Sequence, residues 1–369
     1  MSARFHFSLA DHGDDAALRQ RLAEDHMQGN ISVSFRREPD YFLGCAVQGH
    51  RSEILKCTDA STGRIVGLGA RHTTKLFVNG VETQVGYLSD LRTNAGVRRG
   101  TLLARGYSAL ASLHAADPMP LYFSIILDGN EAALAAITTA RAGLPIYKNW
   151  GRILTPAIHL DRQRDELHAN GISLRRGDAT LMPGVFAFLK QELSSKQLAP
   201  CYSHEDLGTS RLLGLRPEDF YLAFRGNDIV GCVAAWDQSE FRQTHVERYS
   251  PALRRIRPFY NLVAKVSPLH ALPAPGGKIP YFYLGLVASR NNCPDIFATL
   301  VRSVYRDRRK SGYHFMIAGL HESDPLCAVL ADYRRIDAGG TLFLIYYPND
   351  SDFAGRLDNR IPYVEMATA

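Results

Sequence analysis

The sequence predicts an α/β (α+β) protein made of two like halves, each a mixed, mostly antiparallel sheet flanked by helices. Three observations lead there. The string IVGLGA at 65–70 returns as IVGCVA at 229–234, about 165 residues later. Each copy sits in the second arm of a hairpin-like stretch. The same succession of strand and helix signals surrounds both copies. A period this long marks a duplicated domain and not a solenoid unit.

The first half opens with a short strand, RFHFSL, then helix-like stretches at 14–27 and about 38–48, with Asp11 or Asp14 as the first N-cap. EILKCTD, the turn residues Ala60 to Gly63 and RIVGLGAR form the hairpin. KLFV-NG-VETQV carries Asn79-Gly80, a type I′ turn signal, into the strand TQVGYLSDL. A helix over about 98–115, the strand LYFSIIL, a helix over about 130–142 and the strand-like RILTPAIHL complete it. The second half repeats the order: ISLRR, helix-like stretches at about 178–194 and 204–213, and the pair FYLAFR and DIVGCVAAW about Gly226-Asn227. Then come YFYLGLVAS, a helix over about 293–311, HFMIAGL, a helix over about 323–334 and TLFLIYY. The polar run DRQRDELHAN at 161–170 divides domains at 1–160 and 161–369. The second copy has an insertion over about 237–278.

Composition bounds the function. The 369 residues are 46 % hydrophobic and 22 % charged, with a net charge of +6, ordinary for a globular protein with a large core. The positive excess is compatible with an anionic ligand or nucleic acid and establishes neither; it is dispersed, and a nucleic-acid partner is not expected. Its densest clusters, Arg254-Arg255-Ile256-Arg257 and Arg306-Asp307-Arg308-Arg309-Lys310, read as solvated faces. Six scattered cysteines form no C-x-x-C pair, and the thirteen histidines no H-E-x-x-H, so no metal is expected and the thiols suit a reducing cytoplasm. MSARFHFSLADHGDD lacks the apolar stretch of a signal peptide, and no run of 18 apolar residues predicts a membrane span. No P-loop, Rossmann or G-x-S-x-G pattern occurs.

The element order β-α-α-β-β-β-α-β-α-β resembles the GNAT superfamily of acyl-CoA-dependent N-acyltransferases. So do the strand–loop–helix GYLSDLRTNAGVRRGTLLARGYSAL at 86–110 and the segment SIILDGNEAALAAITTARAGLPIY. The whole is similar to tandem two-domain GNAT proteins, the first half carrying the fuller motifs. The resemblance implies transfer of an acetyl or other acyl group from acyl-CoA to a small-molecule or peptide amine, directly and without a covalent enzyme intermediate. It also implies where acyl-CoA would lie. Backbone near Leu91, Arg92 and Thr93 would take the pantetheine arm, and Arg98, Arg99, Gly100, Thr101 and Leu102 would cradle the pyrophosphate at a helix N-terminus. The family's pattern here is Gln/Arg-x-x-Gly-x-Gly/Ala. This chain has Thr101 and Leu103 at the two small positions. Asn130 would contact the CoA arm or cap its helix. Asp90, at the end of its strand, is the candidate base. The family's tyrosine position holds Ile137; Tyr147, four residues past Gly143 and expected to reach the site from the following loop, is the candidate acid. The second-half loop, SRNNCPD, has no glycine. Its insertion, with Arg242, His245, Arg248, Tyr249, Arg254, Arg257 and Tyr260, is read as a lid over an acceptor cleft or as an amphipathic helix pair over an apolar face. Two other functions fit the same resemblance: a non-catalytic GNAT-fold scaffold, and an aminoacyl-tRNA-dependent transferase.

Overall fold

The computed structural model describes residues 4–94, 102–138 and 144–369. The first half contains β1 (Phe5–Leu9), α1 (Asp15–Glu24), β2 (Ile31–Arg36), α2 (Tyr41–Ala46), β3 (Arg51–Asp59), β4 (Ile65–Val78), β5 (Val81–Thr93), α3 (Leu102–Ala116), β6 (Tyr122–Leu127), α4 (Glu131–Thr138), β7 (Ile146–Leu154) and β8 (Ala157–His159). The second contains β9 (Ser173–Arg176), α5 (Met182–Leu193), β10 (Ala199–Pro200), β11 (Phe220–Arg225), β12 (Asp228–Trp236), β13 (Gln243–Tyr249), α6 (Pro251–Ala264), β14 (Tyr281–Ser289), α7 (Pro294–Arg308), β15 (Phe315–Ala318), β16 (Leu320–His321), α8 (Cys327–Ala331), β17 (Arg335–Ile336), β18 (Gly339–Tyr346) and α9 (Ser351–Gly355).

Strand order shows what the repeat is for. One sheet runs β1-β3-β4-β5-β6-β18-β7-β16, with β10 on the far end of β4; the other runs β17-β8-β15-β14-β12-β11-β9. The halves exchange their last strands. β18 of the second half lies between β6 and β7 of the first, and β8 of the first lies between β15 and β17 of the second. The sheets therefore trade strands across the boundary read at 160/161. The large core around Trp236, Phe220 and Phe297 accordingly includes Val47, Phe77 and Ile158 from the first half.

The sequence echo marks a structural device. In each half the strand after IVGLGA or IVGCVA bulges opposite it. The register of β4 on β5 slips between Leu68 and Ala70, where Asp90 has φ 54°. The register of β12 on β14 slips between Cys232 and Ala234, where Leu286 has φ 48°. An extra residue bends a strand and re-aims its backbone, and non-glycine residues at positive φ are strained. Both bulges stand where the next parallel strand begins to part. β5 pairs with β6 only at Gly86↔Tyr122 and Tyr87↔Phe123; β14 pairs with β15 over Tyr281–Leu284.

Local chemistry explains the agreements and the misses. Asn79 and Gly80 both take positive φ, as a type I′ turn requires. Asp11 caps a short 3-10 turn ahead of α1, while Asp14 is drawn 2.5 Å from Lys56 Nζ. The helix read over 204–213 is instead two 3-10 turns, His204–Asp206 and Ser210–Leu212, parted by Gly208 at φ 78°. Asp206 accepts from the Ser203 N–H, and Thr209 Oγ1 donates to the Asp206 carbonyl, so turn bonds outcompete the helical ladder. The insertion is not a helix pair. It gives one strand, β13, and one helix, α6, and β13 pairs antiparallel with β2 of the first half.

Candidate acyl-CoA cleft and inter-half pocket

The two branch points differ in what fills them. In the second half, residues 363–367 lie in the opening between β14 and β15. Glu365 Oε2 accepts from the backbone N–H of Leu286 at 2.7 Å and from Tyr363 Oη at 2.8 Å. Tyr363 Oη accepts from the N–H of Val287 at 3.1 Å. A Cβ on Gly285 would meet Glu365 Oε1 at 3.1 Å, and one on Gly319, just past β15, would overlap Met366. The chain's own segment thus takes the hydrogen bonds that the second bulge offers. Burial pushes the Glu365 carboxyl up, and its three donors oppose that shift. The neighbouring loop is also self-satisfied. Asn291 and Asn292 supply the positive φ that glycine would otherwise give, the Asn291 N–H donates to Glu192, and Asn292 Nδ2 donates to Asp324.

In the first half, β5 from Leu88 onward and β6 from Ser124 onward are only partly covered, and Leu91 is exposed. The bulge here is held from one side. Arg37 Nη2 lies 2.7 Å from the Asp90 carboxylate, Tyr41 Oη donates to Asp90 at 3.0 Å, and Arg37 also reaches Cys45 and Gln48. Burial pushes the Asp90 carboxyl up, but Arg37, Arg92, Tyr41 and His72 outweigh it and bring it to about 2. Burial, and then Arg37, pull His72 down to about 3. His72 is therefore neutral, with Nδ1 2.8 Å from Ser52 Oγ and Nε2 2.9 Å from Ser89 Oγ. It packs on Tyr87, which stacks on Phe123, the last registered pair before the strands part.

A cavity of about 20 Å³, room for one water, adjoins that pair. Gln48, Thr74, Tyr87 and Phe123 wall it from the first half, and Tyr202, Arg211 and Glu365 from the second. Arg211 is buried, and its Nε has no partner among the described residues. Arg242, just ahead of β13, donates to the carbonyls of Ala367 and Ala369, tying the insertion to the pocket's rim.

No family model and no curated protein matches the chain. Solved structures do. N-myristoyltransferase of Saccharomyces cerevisiae with bound myristoyl-CoA superposes with a TM-score of 0.62 at 10 % identity, over 94 % of this chain and 80 % of that one. A GCN5-related N-acetyltransferase of Sphaerobacter thermophilus gives 0.54 at 11 %, over the full length of both. A tandem GNAT protein of the clavulanic acid biosynthesis pathway gives 0.53 at 12 %, over 92 % of this chain and 98 % of that one. The chain has the tandem GNAT fold.

Within that GNAT fold the residues read from sequence separate. Arg98, Arg99, Gly100 and Thr101 lie outside the described residues. Leu102 opens α3 and is buried against Cys57 and Val66, facing the core. Arg92 leans toward Asp25 and Asp90, 3.9 Å from each, and Thr93 registers with Gly67. Asn130 caps α4, its Oδ1 accepting from the Ala133 N–H at 3.2 Å. Tyr147 registers with Ile345, which registers with Tyr122, which registers with Gly86. That places it three strands from β5, roughly 14 Å at strand spacing. Its hydroxyl shares a hydrogen bond with Tyr107 Oη at 2.7 Å. The fold does not bring Asp90 and Tyr147 together. Sequence reading missed Arg37, Tyr41, His72 and the 363–367 segment. The one signal for the last is Glu365, alone among apolar neighbours in IPYVEMA.

Proposed function

We propose that this tandem GNAT protein is an N-acyltransferase that holds one acyl-CoA, in the first-half cleft, and passes its acyl group directly to an amine that meets it beside the Tyr87–Phe123 pair. The observation that carries this is the contrast between the two bulges: the second is occupied by Glu365 and Tyr363, and the first is left with partly exposed strand residues. The fit to acyl-CoA rests on a backbone edge from Leu88 to Arg92 that would pair with the pantetheine amides as an added strand does. It rests also on α3, whose N-terminal dipole favours the pyrophosphate, and on Arg98 and Arg99, which add charge by sequence. Acyl-CoA would supply an activated thioester carbonyl. The chain's own residues position and shield the reacting groups. Asp90, kept ionised by Arg37, fixes the bulge and so the direction of the freed N–H groups. Tyr87 and Phe123 exclude water where the two substrates would meet. Gln48, Arg211 and Glu365 line the one-water cavity behind that pair. At about 2, Asp90 is too weak a base to draw a proton from an ammonium efficiently, so its role in this reading is positioning. Tyr147 carries no step in it.

A thermal-shift series with acetyl-CoA and longer acyl-CoAs tests the proposal. At about 100 times Kd a ligand adds about 2.7 kcal/mol, a rise of several degrees in Tm. The Arg98→Ala/Arg99→Ala variant should lose that rise while keeping its unliganded Tm. No rise with any CoA ester would leave the scaffold reading standing in place of this one.

A further inference from the structure

Helix α6 is amphipathic the wrong way out. Two of its polar side chains are turned inward onto the loop that follows: Arg257 Nε and Asn261 Nδ2 both donate to the Leu272 carbonyl, and Asn261 Oδ1 accepts from the Leu272 N–H at 2.8 Å. No residue of the helix is buried. Its apolar side chains point to solvent. Ile256 is 54 % exposed, Phe259 69 %, Leu262 61 % and Val263 36 %, and Val266, just past the helix end, is 89 % exposed. These five are over a third of the large exposed hydrophobics among the described residues, gathered within eleven positions. Scattered exposed leucines need no account, but a contiguous apolar patch does.

Charge says what covers it. From Arg248 to Lys278 the chain carries six Lys and Arg and no Asp or Glu. Arg254, Arg255 and Lys265 are exposed beside the apolar stripe. A second copy docking through this face about a two-fold axis would set these cations against their own counterparts. An anionic bilayer surface would neutralise them and take the apolar stripe into its headgroup boundary. No helix among the described residues is long and apolar enough to cross a membrane, so the contact would be parallel to the surface. We propose that α6 is a peripheral membrane-docking helix specific for anionic lipid.

The test is vesicle co-sedimentation of the full chain. Phosphatidylcholine vesicles containing phosphatidylglycerol should bind it and pure phosphatidylcholine vesicles should not, with binding falling as salt rises. Each basic group near such a surface contributes a factor of about five, so Arg254→Glu/Arg255→Glu should weaken binding about 30-fold or more. Phe259→Asp should weaken it about tenfold or more. Arg309→Glu/Lys310→Glu changes net charge equally on another helix end and should leave binding intact. Arg254, Arg255, Phe259 and Lys310 are exposed and Arg309 is half-buried, and an unchanged Tm shows that the fold is kept. Equal binding to neutral vesicles, no binding to anionic ones, insensitivity to Phe259→Asp, or self-association in velocity sedimentation that Phe259→Asp abolishes would each overturn the proposal. The readout needs no acyl-CoA, so it stands or falls apart from the transferase reading.

Discussion

At the scale of single residues the chemistry is concentrated where buried charges meet the first bulge. Arg37 and Asp90 are a buried ion pair, and removing one partner leaves the other charge uncompensated. Asp90→Asn should therefore cost about 3–5 kcal/mol in urea denaturation, and Tyr41→Phe, which removes one hydrogen bond to a charged group, about 1.5–3 kcal/mol. The acid branch of stability has a definite sign. Asp90 is lowered from 3.8 to about 2, so its contribution is complete above pH 3.8 and disappears as pH falls through 2. His72 is lowered from 6.5 to about 3, so its contribution is complete above pH 6.5 and declines as pH falls toward 3. Of these two groups, His72 and not Asp90 declines between pH 7 and 4, and His314, drawn down to about 4 chiefly by burial, declines in the same window. Urea midpoints across that range should fall in the wild type and fall less steeply in His72→Gln, which removes the titrating ring.

At the scale of elements, one strand geometry serves two ends. The bulge and the parting strands recur in both halves, but Glu365 and Tyr363 close the second copy. Glu365→Ala would orphan the buried N–H groups of Leu286 and Ala367, at about 1–3 kcal/mol each, whereas Glu365→Gln keeps an acceptor and should lose less. Differential scanning calorimetry separates the two. Neither variant should gain a second acyl-CoA equivalent while Tyr363 and Met366 remain in place, a count that isothermal titration reads directly. Gly86 sets the opposite limit at the first branch. A Cβ there would fall 2.0 Å from Tyr122 Cδ1, so Gly86→Ala should force β5 and β6 apart, lower Tm and weaken acyl-CoA binding together.

At the scale of the whole molecule, strand exchange makes the duplication indivisible. β18 supplies both neighbours' hydrogen bonds between β6 and β7, and β8 does the same between β15 and β17. Expressed alone, residues 1–160 would present β6 and β7 with open edges, a template for aggregation. That fragment should be insoluble or unfolded by circular dichroism. The full chain should unfold in one transition, with far-UV signal and the fluorescence of Trp150 and Trp236 changing at the same urea concentration. β2 and β13, paired across the halves, add to the same coupling.

What the sequence determined by itself was what depends on local periodicity and on repetition: most strands, though not β2 or β13, most helices, the Asn79-Gly80 turn and the echo that betrays a duplicated GNAT fold. IVGLGA and IVGCVA were legible because a strand that supports a bulge must satisfy the same constraints twice. The helix expected at 204–213 failed because side-chain-to-backbone bonds from Asp206 and Thr209 decide that stretch, and hydrophobic spacing does not report them. The site was far less legible. Asp90 could be placed on a strand end, but only the fold sets Arg37 and Tyr41 against it, about fifty residues away in sequence, and turns a candidate base into a fixed carboxylate. Tyr147 is close to the branch in chain order and three strands away in space, because β18 is threaded between. Strand exchange and the closing of the second cleft by Glu365 are long-range pairings. No local signal encodes them, since backbone hydrogen bonds carry no side-chain identity and many partners would satisfy them. The tertiary structure alone chose which.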